Sequence, residues 1–159
     1  MTTIAAEPLT AGAFAPFGEV IAPRAKPSWM INAGRCGRHH ALARVERGGG
    51  EAVLSIFCSE GITLPYRCTL LERHPLGSQA FVPLGREPWL SIVAPDDGGR
   101  PGVPRAFLVP AGIGINLRAG TWHGVLTPLG GPADFLVVDR EGEGDNLEEA
   151  EIPPVTVTA

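Results

Sequence analysis

The chain has 159 residues, which suits one domain (1–159) able to bury a core without disulfide staples. Glycine (21) and proline (16) together supply 37 residues, which excludes a helical bundle, while 44% hydrophobic content in β-branched clusters argues against disorder. A net charge of −4 with no basic stretch excludes a nucleic-acid footprint, and no apolar run nears the ~20 residues of a membrane-spanning helix.

The segment 1–8 lacks a basic start and an apolar core, so no secretory leader is expected there. Thr10 is placed to cap a short helix over 11–15, which Pro16 and Gly18 would stop. Residues 23–50 hold few large apolar groups and predict loop, with one strand near 38–42 and a turn at Gly48 to Gly50. Strand signals then follow at 52–58, 62–74, 80–84, 89–94, 106–109, 113–117, 122–126 and 135–139. Each is bounded by Gly, Pro, Asp or Asn. The acidic stretch 141–151 predicts a solvated surface with a helical turn at 146–149. Residues 152–159 are expected to be loosely ordered or to pack on a partner. Short strands without 10–15-residue helical stretches between them predict an all-β sandwich or barrel. Cys36, Cys58 and Cys68 are odd in number and show no CxxC spacing. They predict buried free thiols in a reducing cytoplasm.

The stretch 62–74 is the most informative. Alternate strand residues share a face, so Ile62, Leu64, Tyr66, Cys68 and Leu70 would line up with Glu72 and His74. A carboxylate carried to the end of an apolar face needs a partner: an arginine, a substrate or a metal. Arg73 should point the other way. Glu72-x-His74, then Gln79 and Gly85, resembles the first motif of the cupin barrel, with Glu72 where a first histidine stands and Gln79 where a glutamate stands. Gly120-Thr-Trp-His123 resembles the second motif, with Arg118 replacing its proline and Thr127 its asparagine. A cupin-like jelly-roll β-barrel would gather Glu72, His74, Gln79 and His123 around one site.

A more specific resemblance covers nearly the whole chain, in order. Leu71-Glu-Arg-His-Pro-Leu-Gly-Ser-Gln79 resembles the hallmark segment of the ureidoglycolate lyase family. Phe14 to Val20, Ile31 to Gly34 with Arg38 and His40, Gly120 to Leu126, Asp134 to Arg140 and Gly144 to Glu149 resemble other blocks of that family. Many relatives carry His or Pro where this chain has Gly124 and Val125, and some carry Tyr where it has Leu117. The resemblance implies a cupin-like barrel, usually a homodimer, that splits (S)-ureidoglycolate into glyoxylate and urea in allantoin breakdown. It also implies dependence on a divalent metal.

The chemistry requires a base for a hydroxyl proton, an acid for the departing urea nitrogen, and a holder for a carboxylate. His74, His123 and Glu72 offer two imidazoles and a carboxylate, with Gln79 as a weaker fourth ligand. This donor set suits Ni, Zn, Mn or Fe. Arg38, His40, Arg73 and Arg118 are candidate carboxylate holders, Arg73 ranking below the others because it should point away from Glu72 and His74. Trp122 is a candidate pocket wall or core residue, and Asn32 a substrate contact or a turn residue. Asp145-Asn146 are expected to organise turns. Two alternatives stay open: a different metal cupin, such as a non-haem iron oxygenase, and a non-catalytic cupin that binds a small carboxylic acid.

Overall fold

The computed structural model describes residues 2–159. The chain opens with β1 (Thr2–Ala5), β2 (Glu7–Pro8), α1 (Ala11–Phe14), β3 (Gly18–Ile21) and the hairpin β4 (Trp29–Ile31) and β5 (Cys36–Arg38). The longer strands β6 (Glu51–Ser59), β7 (Tyr66–Arg73), β8 (Gln79–Pro83) and β9 (Trp89–Ala94) follow. A two-residue ladder, β10 (Asp96–Asp97) and β11 (Arg100–Pro101), leads to β12 (Arg105–Val109), β13 (Gly114–Leu117), β14 (Trp122–His123) and β15 (Thr127–Pro128). Two long strands close the chain, β16 (Ala133–Glu141) and β17 (Glu148–Thr158).

The first sheet runs β1-β17-β7-β14-β9-β12-β2, with β15 also on β9; the second runs β3-β13-β8-β16-β6. The end strands of the first sheet, β1 and β2, are separated only by Ala6, so the sheet curls until its ends approach each other. The result is the nearly all-β, barrel-like architecture expected of a cupin-like jelly roll.

Two cores follow. One joins the sheets and holds Trp89, Val93, Phe107, Phe81, Ile115 and Phe135. The other belongs to the curled sheet and holds Leu90, Ile92, Ala106, Cys68, Leu71 and Trp122. Strand β9 sends Trp89 and Val93 into the first and Leu90, Ile92 and Ala94 into the second. All six of its residues are buried, which is why only Ser91 interrupts its apolar run.

The Thr10 cap stands as expected: its Oγ1 accepts the Ala13 N–H at 3.1 Å. Other expectations need correction. The stretch 62–74 is not one strand. Pro65 has no N–H to give a ladder, and β7 begins at Tyr66, after Ile62 has bridged to Leu129. The stretch 122–126 yields only β14, and 38–42 yields only the end of a hairpin. The tail is neither a helical turn nor loose: β17 pairs with β7 on one side and β1 on the other. Its Pro153 and Pro154 fall within a register shift between Glu151 and Val155, so the missing N–H groups sit at a bulge. The three cysteines are free, but only Cys68 is buried.

Candidate active site

The register of β14 on β7 sets His123 directly opposite Glu72. His74 follows one residue past the end of β7. Glu72 Oε1 lies 3.9 Å from His74 Nε2 and 4.0 Å from His123 Nε2. The two imidazole centroids are 5.3 Å apart. One ligand atom from each of the three residues falls within 4.8 Å of the others.

Backbone carbonyls orient both rings. His74 Nδ1 lies 2.7 Å from the Asn146 carbonyl, and His123 Nδ1 lies 3.0 Å from the Gly124 carbonyl. A carbonyl only accepts, so each Nδ1 carries the proton and donates it. In its neutral form each ring presents an unprotonated Nε2. Both Nε2 atoms are buried without a hydrogen-bond partner among the described residues, as is Gln79 Oε1. Gln79 shares its strand face with Phe81, whose ring packs 6.5 Å from that of His123. Such orphaned acceptors are costly unless something fills the space between them.

Burial sets the electrostatics. It holds the His123 imidazole down to about 4, against a smaller upward pull from the Gly124 carbonyl. It also raises the Glu72 carboxyl above the ordinary glutamate range, with His74 opposing the shift. His123 is therefore neutral near pH 7 and has a lone pair to offer. Two imidazole nitrogens and a carboxylate, each imidazole fixed through its other nitrogen, are a donor set that fits a divalent transition metal.

The approach is from the Glu72 and His74 side. The cavity behind His123, lined by Phe81, Trp89, Ile115 and Leu117, measures about 20 Å³, room for roughly one water. The Glu72 side chain is 27% exposed and that of His74 18%. The loop after β13 lies against this opening. Gly120 takes a positive φ of 79°, and its N–H donates to the His74 carbonyl at 2.8 Å.

The remaining sequence candidates divide. Arg118 lines a 200 Å³ pocket with Gly120 and Thr121, and its side chain makes no hydrogen bond or ion pair among the described residues. Trp122 is buried on the opposite side of β14 from His123; its Nε1 donates to Asp96 at 2.9 Å and Arg73 lies over its ring. It is core, not pocket wall. Asn32 (φ 55°) forms the turn of the β4–β5 hairpin. Arg38 and His40 both pack on Trp29 of that hairpin. None of the three bonds to the Glu72, His74 and His123 cluster. Arg73 points away from Glu72, as expected of strand alternation.

Sequence reasoning missed one positioning residue. Besides presenting its carbonyl to His74, Asn146 accepts the Leu76 N–H on its side-chain oxygen at 2.8 Å. It grips the chain on either side of Pro75. The only signal was an Asp-Asn pair that reads as a turn.

The family model described as ureidoglycolate lyase matches residues 1–158. The chain belongs to the ureidoglycolate lyase family. It is 55% identical to a ureidoglycolate lyase of Chelativorans sp. (strain BNC1), over 96% of this chain and 94% of that one. It is 51% identical to a ureidoglycolate lyase of Rhodobacter capsulatus, over 96% of each chain. With ureidoglycolate lyase 2 of Rhizobium meliloti the identity is 50%, over 94% of this chain and 93% of that one. Family membership implies a small-molecule substrate. No helix among the described residues is long and apolar enough to cross a membrane.

Proposed function

We propose that the protein cleaves (S)-ureidoglycolate to glyoxylate and urea, as a carbon–nitrogen (amidine) lyase of cytoplasmic allantoin catabolism, acting as a metal-dependent homodimer. The observation that carries this reading is the convergence of His74 Nε2 and His123 Nε2, both buried without hydrogen-bond partners among the described residues, on Glu72 Oε1 in a chain of this family.

His74, His123 and Glu72 Oε1 would hold the cation, with Gln79 Oε1 as a weaker fourth ligand; Ni, Zn, Mn and Fe suit these donors. When bound, the metal supplies Lewis acidity that favours ionisation of the substrate hydroxyl. The rest falls to the chain. Glu72 has a second carboxylate oxygen for proton transfer, and its raised pKa brings it nearer the working pH. It takes the hydroxyl proton as the carbonyl forms. It returns that proton to the ureido nitrogen as the carbon–nitrogen bond breaks, so glyoxylate and urea leave with no net proton change. Arg118, whose side chain is unpaired among the described residues, would supply a fork for the substrate carboxylate.

The same two-histidine, one-carboxylate set also suits a non-haem iron oxygenase, so the decisive assay is anaerobic. Purified protein is incubated with ureidoglycolate, and urea, ammonia and glyoxylate are measured before and after metal removal. Equimolar urea and glyoxylate without oxygen, lost on chelation and restored by metal, is the expected result. Ammonia in place of urea, or dependence on oxygen, would overturn the reading.

A further inference from the structure

Strand β6 is the end strand of the second sheet, paired among the described residues only with β16. Exposed edges invite further strand pairing, and proteins ordinarily blunt them with lysine, proline, bulges or short length. β6 has none of these. It is nine residues long, Glu51-Ala-Val-Leu-Ser-Ile-Phe-Cys-Ser59, with its single charge at one end. Its register with β16 runs unbroken from Glu51 opposite Glu141 to Ser59 opposite Ala133.

The face beside this edge is also apolar. Leu54 and Ile56 are 72% and 54% exposed. Leu54 sits in register with Val138 and then Ala80; Ile56 with Leu136 and then Val82. Two three-residue apolar rows therefore run to the free edge and stop. An outward face of an antiparallel sheet is normally polar.

We infer that a second copy of this chain covers this surface, by antiparallel pairing of β6 with its own symmetry mate. Strand alternation narrows the register. A two-fold axis perpendicular to the sheet must bring outward residues beside outward residues, so it passes through a residue position and not between two. Full overlap of nine residues selects the midpoint, Ser55. Leu54 then faces Ile56 of the second copy, and both apolar rows continue across the junction. Ala52 faces Cys58 of the second copy, and Glu51 faces Ser59, so no like charges meet. The flanking rows carry Arg140 beside Ala52 and Asp134 beside Cys58. Each such row therefore ends in opposite charges from the two copies. The second sheet becomes one ten-stranded sheet shared by two protomers. The inference gives a surface to the homodimer proposed above and does not depend on turnover.

Sedimentation equilibrium tests it. The wild type is expected at about twice the 16.7 kDa chain mass at 10 µM. Ile56→Lys, at a position already exposed in the isolated chain, should weaken dimerisation at least 100-fold with an unchanged circular-dichroism spectrum. Val103→Lys, 78% exposed outside this sheet, should not. The register is tested by Ala52→Cys in a Cys36→Ser background, which should give a covalent dimer with Cys58 under mild oxidation. A wild type still monomeric at 100 µM overturns both the dimer and the surface. A dimer indifferent to Ile56→Lys, or no cross-link from Ala52→Cys, overturns the surface or the register alone. The lyase assay stands or falls apart from all three.

Discussion

Strands β7 and β14 present two faces of opposite character. On one, Glu72, His74 and His123 converge with two imidazole acceptors left unpartnered. On the other, the residues in between are fully engaged. Arg73 bonds Asp96 at 2.7 Å and Glu148 at 2.6 Å, and lies 4.6 Å over the Trp122 ring. Asp96 also accepts the Trp122 N–H, and these contacts hold its carboxyl below the ordinary aspartate range. The same two strands thus carry one saturated face and one unsatisfied face, a residue apart. The saturated face clasps β7, β14 and β17 together. The unsatisfied face is what that clasp positions. Polar residues serving the fold alone would resemble Arg73 and Asp96; His123 does not.

The sharpest way to break the contrast is to remove a group from each face. His123→Ala should lower kcat at least about 10³-fold, since on the proposed reading it removes one of the three groups that would hold the metal. The protein should stay folded, because the Nε2 it removes satisfies nothing in the fold. Retained wild-type turnover would remove His123 from the site. Thermal melting alongside the kinetics separates loss of chemistry from loss of structure.

The pH dependence of stability sharpens the same point. Burial lowers the His123 pKa from 6.5 to about 4 in the folded state, so between those values the unfolded chain binds the extra proton. The metal-free protein should therefore lose stability as pH falls from about 6.5 to 4, by on the order of 3 kcal/mol from this group. Glu72, whose pKa is raised, contributes with the opposite sign, and does so in wild type and His123→Ala alike. The difference between their denaturation curves isolates the imidazole. Parallel curves across that window would mean that His123 is not held neutral by burial.

On the saturated face, Arg73→Met should act through the fold. It removes two ion pairs and a cation–π contact from a side chain that is 17% exposed. A loss of about 2 kcal/mol is expected in urea denaturation. kcat should fall less than tenfold, because β7 keeps its backbone ladder to β14. A larger kinetic than thermodynamic effect would place Arg73 in the chemistry.

Much of this was legible in the residues. Glu72-x-His74 and Gly120-Thr-Trp-His123 carry the site, and their pairing needs only that two strands be neighbours. The face argument was half right. Glu72 and His74 do share a face opposite Arg73, but the apolar residues before them do not share it. Cys68 and Leu71, of opposite parity, lie in the same core, so the face changes between them. That change sits opposite the bulge at Pro153-Pro154, contributed by a strand 80 residues away. No local pattern reports it. The tail was misread for a related reason: two prolines and a run of glutamates look like loop until a neighbour supplies the ladder. Trp122 was a candidate for pocket wall or core, and strand alternation, which sends it to the face opposite His123, puts it in the core.

The tail also supplies the smallest test. Asn146 lies just before β17 and holds the site from outside it. Its Oδ1 accepts the Leu76 N–H, and its carbonyl accepts the proton on His74 Nδ1. Asn146→Ala leaves that N–H without its partner, for about 1 kcal/mol of stability. It also frees the carbonyl to drift, so the His74 ring loses its fixed tautomer and angle. Metal affinity should then fall roughly tenfold by titration. Asn146→Asp keeps an acceptor oxygen in place and should restore most of that loss, which a general weakening of the tail would not allow. Unchanged metal affinity in Asn146→Ala would show that the Asn146 backbone is held by β17 alone, and that the side chain serves only the turn.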